Sequence, residues 1–132
     1  MAERGVKPGE SAERSPRATS DGSDTDFKNA DAAYRALISK SGGLVVNDKK
    51  NDKEWTTYLT LEQKVLEGLG AEKGDKHYVS ILRIGQAEMA INKLPGARKH
   101  ITDAMRYFAA NESEANNKRL VAAAQLLTKL PA

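Results

Sequence analysis

Apolar residues recur along this chain at intervals of three and four, and the densest such stretch runs from Tyr78 to Leu94. At helical spacing Tyr78, Ile81, Leu82, Gly85 and Met89 form one apolar strip; Ile84, Ala87, Ile91 and Leu94 form a second beside it. Between them runs a narrow polar seam of Lys76, Ser80, Arg83 and Gln86. A helix apolar over most of its circumference is one that other helices surround. The stretch is therefore predicted to be a central core helix, with Asp75 as its cap and Pro95-Gly96 forcing a break after it. Its large side chains would contribute about 12–20 kcal/mol gross if fully buried, an upper bound.

The flanking segments carry narrower stripes. Phe27, Ala30, Tyr34, Leu37 and Ile38 predict a first helix over 26–40, capped by Asp24 or Thr25 and stopped by Ser41-Gly42-Gly43. Thr60-Leu-Glu-Gln63 matches a capping box and predicts a short helix over 61–69, ended by Gly70 and Gly74. Ala97, Ile101, Ala104, Met105 and Phe108 predict another to about residue 110. After the turn at Asn111 and Ser113, Leu120, Ala123, Ala124, Leu127 and Leu130 mark the inner face of a last helix over 114–129. Residues 44–59 read two ways. Leu44-Val-Val46 and Trp55-Thr-Thr-Tyr-Leu59, separated by a polar run, fit a small β-hairpin; an irregular connection fits equally. The fold class is mainly α, a compact bundle of four to five helices.

Composition adds an arm. Residues 1–25 are Gly, Ser, Pro, Glu, Arg and Thr with almost nothing apolar, and such a segment cannot offset its ordering entropy by burial. It is expected to be disordered, with Ser15-Pro16 as a phosphorylation candidate, and residues 26–132 to form a single helical domain. The chain of 132 residues has no cysteine, which excludes a disulfide framework and thiolate metal sites. No apolar run approaches a bilayer span, and the N-terminus lacks the apolar segment of a signal peptide, so a cytoplasmic protein is expected.

Net charge is +3 and unevenly placed: residues 1–26 hold four basic and six acidic groups, residues 71–132 ten basic and six acidic. A mildly basic C-terminal half permits contact with nucleic acid or an acidic protein. Lys93, Arg98, Lys99, Arg106, Lys118 and Arg119 are the candidate contacts, with Arg98 and Arg106 eight apart on one helical face.

Chemical motifs are sparse. Gly68-Leu-Gly70-Ala-Glu-Lys-Gly74 places its third glycine one position late for a dinucleotide loop and follows a helix, so it reads as helix punctuation. His77 and His100, with Asp75 and Asp103 nearby in sequence, could be joined in a two-helix metal site, but each stands among charged residues, where a surface histidine is the default. A helix-turn-helix over 61–85 fails because its turn is long and its second helix too apolar for a groove. There is no cysteine nucleophile, no carboxylate pair in an apolar setting and no Ser/His/Asp spacing; an enzyme is not expected, nor a metal or cofactor.

Residues 78–108 resemble a single tetratricopeptide repeat. Ile81, Ile84, Gly85, Ala97, Ile101 and Ala104 fall at that repeat's large, large, small, small, large and small positions. Glu88 stands where the repeat has an aromatic, Ala109 where it has proline, and Pro95 falls early in the second helix. The resemblance covers under a quarter of the chain, with no second copy at a 34-residue period. It implies an antiparallel helical hairpin.

The function expected is that of a non-enzymatic interaction or assembly module, binding a protein partner or its own copies. Trp55, Tyr58, Val121 and Leu126 lie off the main stripes and are the candidate protein-interaction surface, the alternative being that they complete the core. The second expectation is a nucleic-acid-binding accessory protein that uses the basic half.

Overall fold

A computed structural model describes residues 18–43 and 46–130, with side chains from residue 25 onward. Among these are five helices: α1 (Ala18–Ser41), α2 (Asp52–Leu69), α3 (Asp75–Ala90), α4 (Leu94–Ala110) and α5 (Glu114–Lys129). Each packs chiefly on its neighbours in sequence, α1 on α2, α2 on α3, α3 on α4 and α4 on α5. The expected arm lies outside the described residues as far as residue 17. Residues 18–25 belong to α1, which starts earlier than its apolar stripe.

The central position of α3 follows from its two strips. Val79, Leu82 and Met89 join Ala97, Ile101, Ala104 and Phe108 of α4, with Ala123 and Leu126 of α5, in one core. Ala87 and Ala90 join Ala30 and Leu37 of α1, with Trp55, Tyr58 and Val65 of α2, in a second. In α5 the expected inner face holds at Leu120, Ala123, Leu127 and Leu130, with one exchange: Leu126 is buried and Ala124 is exposed.

Helix ends sit where glycine, asparagine and serine put them. α1 closes with Gly43 N–H donating to Ile38 O and Gly42 N–H to Ser39 O, Gly42 taking φ 71°. α3 closes the same way, Lys93 to Glu88 O and Asn92 to Met89 O, with Asn92 at φ 65°. Pro95 lies in the first turn of α4, where its missing N–H costs nothing, so it opens that helix and does not interrupt it. Ser113 caps α5, its Oγ accepting from Asn116 N–H at 3.0 Å. Asp75 is the first residue of α3 and not its cap. Its carboxylate instead accepts from Tyr107 Oη at 2.8 Å and Asn116 Nδ2 at 3.2 Å, tying three helices together.

The hairpin reading of 44–59 is corrected. Leu44 and Val45 lie outside the described residues; Val46 and Asn47 form a turn, Lys49–Asn51 a 3₁₀ turn, and α2 begins at Asp52. The capping box at 60–63 falls inside this longer helix. Asp48 organises the segment: its Oδ2 accepts from Ser41 Oγ (2.7 Å), Asn51 Nδ2 (3.0 Å) and Trp55 Nε1 (3.0 Å). Asn47 and Asp48 N–H groups donate to Met89 and Ala90 carbonyls, satisfying the end of α3. The β-branched threonines tolerate the helix by bonding back to it, as Thr56 Oγ1 does to Asp52 O at 2.9 Å.

Candidate functional site

The polar seam of α3 is where the described residues depart from a plain bundle. Its four members do not face water together. Ser80 is fully buried and donates to Glu62 Oε1 of α2 at 2.5 Å, while Tyr58 Oη donates to the other carboxylate oxygen. Burial pushes the Glu62 carboxyl up from its ordinary range, against the two hydroxyls that favour its charge. Burial likewise raises Tyr58. Glu62 and Ser80 are sealed from solvent, so the group is a polar core contact and no substrate reaches it.

Arg83 and Gln86, one turn apart, face the other way. They line a cleft of about 250 Å³ with Tyr34 of α1, Val79 and Leu82 of α3, and Lys118, Arg119 and Ala122 of α5. Gln86 is 7% exposed and the Arg83 side chain 15%. Arg83 Cζ stands 4.4 Å from the Tyr34 ring centroid, a cation–π contact. Its Nη1 is ion-paired with Asp31 Oδ1 at 2.9 Å. Burial works against the Asp31 charge, but Arg35 and Arg83 outweigh it and hold the carboxyl below its usual value. Burial raises Tyr34 against the pull of Arg83.

One buried polar atom on this wall, Gln86 Oε1, has no hydrogen-bond partner among the described residues, while Arg83 Nη1 is engaged by Asp31. Such groups cost about 1–3 kcal/mol each when left unpaired, so they are kept only where something compensates. Across the cleft Arg119 Nη1 donates to Asn116 Oδ1 at 2.6 Å, which fixes its direction, and lies 4.0 Å from Asp75 Oδ2. Lys118 is largely exposed and only 4.0 Å from Glu114. Three cations, one of them paired with Asp31, therefore line a small pocket with an apolar back wall. The pocket can hold an anionic group and offer it one acceptor.

No known protein family, curated protein or solved structure matches the chain.

The six candidate cations are divided by the structure. Lys118 and Arg119 reach the cleft just described. Arg106 lines a separate one between α3 and α4. Lys93, Arg98 and Lys99 are exposed at the start of α4, Lys99 being 4.0 Å from Asp103. Of the candidate interaction surface only Val121 is exposed, at 57%. Trp55, Tyr58 and Leu126 are corrected to core residues: α2 starts early enough to turn Trp55 and Tyr58 inward together, and Leu126 packs with the α3–α4 core. His100 Nδ1 is 2.6 Å from Glu88 Oε1, whereas His77 lines the α3–α4 cleft. Among the described residues no three His, Cys, Asp or Glu side chains are grouped to hold a metal ion, and no helix is long and apolar enough to cross a membrane.

Sequence reasoning passed over Arg83, Gln86 and Tyr34. The signal was present in the seam itself, because long polar side chains on an otherwise buried helix need an outlet.

Proposed function

We propose that the protein is a non-enzymatic interaction module that receives an acidic segment of a protein partner in the cleft between α1, α3 and α5. The observation that carries this reading is the buried Gln86 Oε1, which lacks a partner among the described residues, on a wall faced by Lys118 and Arg119. The cations call for a carboxylate, and Gln86 Oε1 calls for a donor. A peptide carrying Asp or Glu supplies both, the second from its backbone N–H. The small volume and apolar back wall suit one side chain and its adjoining backbone.

The test is a titration with acidic peptides and with single-stranded and duplex oligonucleotides at two salt concentrations. Acidic peptides are expected to bind, with Lys118→Gln weakening them about tenfold, the loss of one charge-assisted contact. Oligonucleotide binding with no peptide binding would replace this reading with the nucleic-acid one, in which affinity falls steeply with salt. What favours the peptide reading beforehand is where the cations sit: Lys118 and Arg119 line the α1–α3–α5 cleft, Arg106 lines the α3–α4 cleft, and Lys93, Arg98 and Lys99 are exposed at the start of α4, whereas a dedicated nucleic-acid surface gathers its cations in one stripe.

A further inference from the structure

Another buried polar atom without a partner, His77 Nδ1, belongs to a different place. The His77 ring lines a cleft of about 550 Å³ between the N-terminal half of α3 and the C-terminal half of α4. Lys73, from the connection before α3, and Arg106, from α4, line the same cleft. Neither makes an ion pair with another described residue within 4.0 Å. One side is built by Tyr78 and Tyr107, stacked with ring centroids 4.2 Å apart and 10° between planes, and the His77 ring meets Tyr78 edge-on at 4.8 Å. The Tyr107 hydroxyl donates to Asp75, so the stacked pair is held in place. Asp103 is the carboxylate on the cleft, and Lys99 stands beside it at 4.0 Å.

We propose that this cleft is a phosphoryl-binding site in which Lys73, His77 and Arg106 each donate to one phosphate monoester. The cleft offers an ammonium, a guanidinium fork and a ring N–H on three different stems. A tetrahedral phosphate presents three free oxygens to three directions; a planar carboxylate presents two. Two full positive charges match the dianion. Burial, and after it Lys73, keeps the His77 pKa below 6.5, and a bound dianion reverses that effect. The groups facing His77 are Lys73 from the connection, Tyr78 from its own helix, and Asp103, Arg106 and Tyr107 from α4. The inference is independent of the acidic-peptide cleft, which shares none of these residues.

The test follows the imidazole resonances of both histidines through pH titrations of the full chain in inorganic phosphate and in chloride at matched ionic strength. His77 is expected to titrate higher in phosphate while His100, paired with Glu88, does not move. Arg106→Gln and Lys73→Gln are each expected to weaken phosphate about tenfold, with amide spectra otherwise unchanged. Lys129→Gln, in the last turn of α5 and outside both clefts, is expected to leave phosphate binding as it was. Parallel titrations with O-phosphoserine and a mononucleotide identify the carrier of the phosphoryl group, the tighter of the two naming it. An unmoved His77, an equal shift at His100, or a shift that survives both Arg106→Gln and Lys73→Gln would overturn the site.

Discussion

Gly85 of α3 lies against Ile101 of α4 so closely that a Cβ at Gly85 would stand 2.7 Å from Ile101 Cγ1 and 3.2 Å from the Ala97 carbonyl oxygen. Hydrogen is the only side chain this helix crossing admits, and Ile101 is wholly buried, so it cannot swing aside. These are the same residues that give 78–108 its resemblance to a tetratricopeptide hairpin, and the structure places them at the contact. Gly85→Ala is expected to destabilise the fold by about 1–3 kcal/mol, the overpacking cost outweighing the gain in helix propensity. Ile101→Ala alone leaves a cavity and costs about 2–5 kcal/mol. The double variant should lose clearly less than the sum, because the second change removes the clash made by the first. Additive losses in chemical denaturation would mean that α3 and α4 do not touch through this pair.

Ser80 and Tyr58 are the two hydroxyls that satisfy the buried Glu62 carboxylate. Ser80→Ala removes one of them and should cost about 1–3 kcal/mol, the penalty for stranding part of a buried acceptor. Replacing the whole set, as Glu62→Leu with Ser80→Ala and Tyr58→Phe, should recover much of that loss, since no polar atom is then left without its partner. Measured midpoints ranking the triple variant below Ser80→Ala would contradict this account of the α2–α3 contact.

The helices with a narrow apolar face were legible from spacing alone. α5 begins and ends where the stripe and Ser113 place it, and α4 and the stop after α1 follow the same rules. The start of α2 was not legible, because Thr56, Thr57 and Tyr58 favour a strand by local preference only, and that preference is weak against burial. What overrides it is tertiary. Trp55, Tyr58 and Glu62 fall on one helical face, and their partners Asp48, Ser80 and the α1 side chains are set only once the chain has folded. The cleft was half legible for the same reason. Arg83 and Gln86 stand out within an apolar helix, yet that Tyr34, Lys118 and Arg119 would line a cleft with them depends on how α1 and α5 lie beside α3.

Asp48 gives that tertiary override a direct test. Three side-chain donors converge on its Oδ2, and its own N–H and that of Asn47 cap α3. Asp48→Ala should cost about 2–4 kcal/mol, because the Trp55 and Asn51 donors lose a charged acceptor inside the fold. The Trp55 emission should shift as its N–H loses the carboxylate. A loss under about 0.5 kcal/mol, the range of an ordinary surface change, would show that the segment before α2 is held by something else.

The two histidines pull stability in opposite directions on either side of their shared reference pKa of 6.5. The hydrogen bond to Glu88 raises His100, partly against burial. The folded state thus binds the His100 proton more tightly than the unfolded chain, and this contribution is complete below 6.5 and lost as pH rises through the raised folded value. Burial and Lys73 lower His77, so there the unfolded chain binds the proton more tightly. Its contribution is complete above 6.5 and declines as pH falls toward the lowered folded value. Both rings are partly exposed, so each effect should stay below about 1 kcal/mol. In buffer free of phosphate, His100→Gln is expected to flatten the decline above 6.5 and leave the low side, whereas His77→Gln does the reverse. Denaturation midpoints at about pH 5.5, 6.5 and 8 bracket the ordinary histidine range. If His100→Gln loses stability above 6.5 as steeply as the parent, the Glu88 pair does not hold its proton in solution.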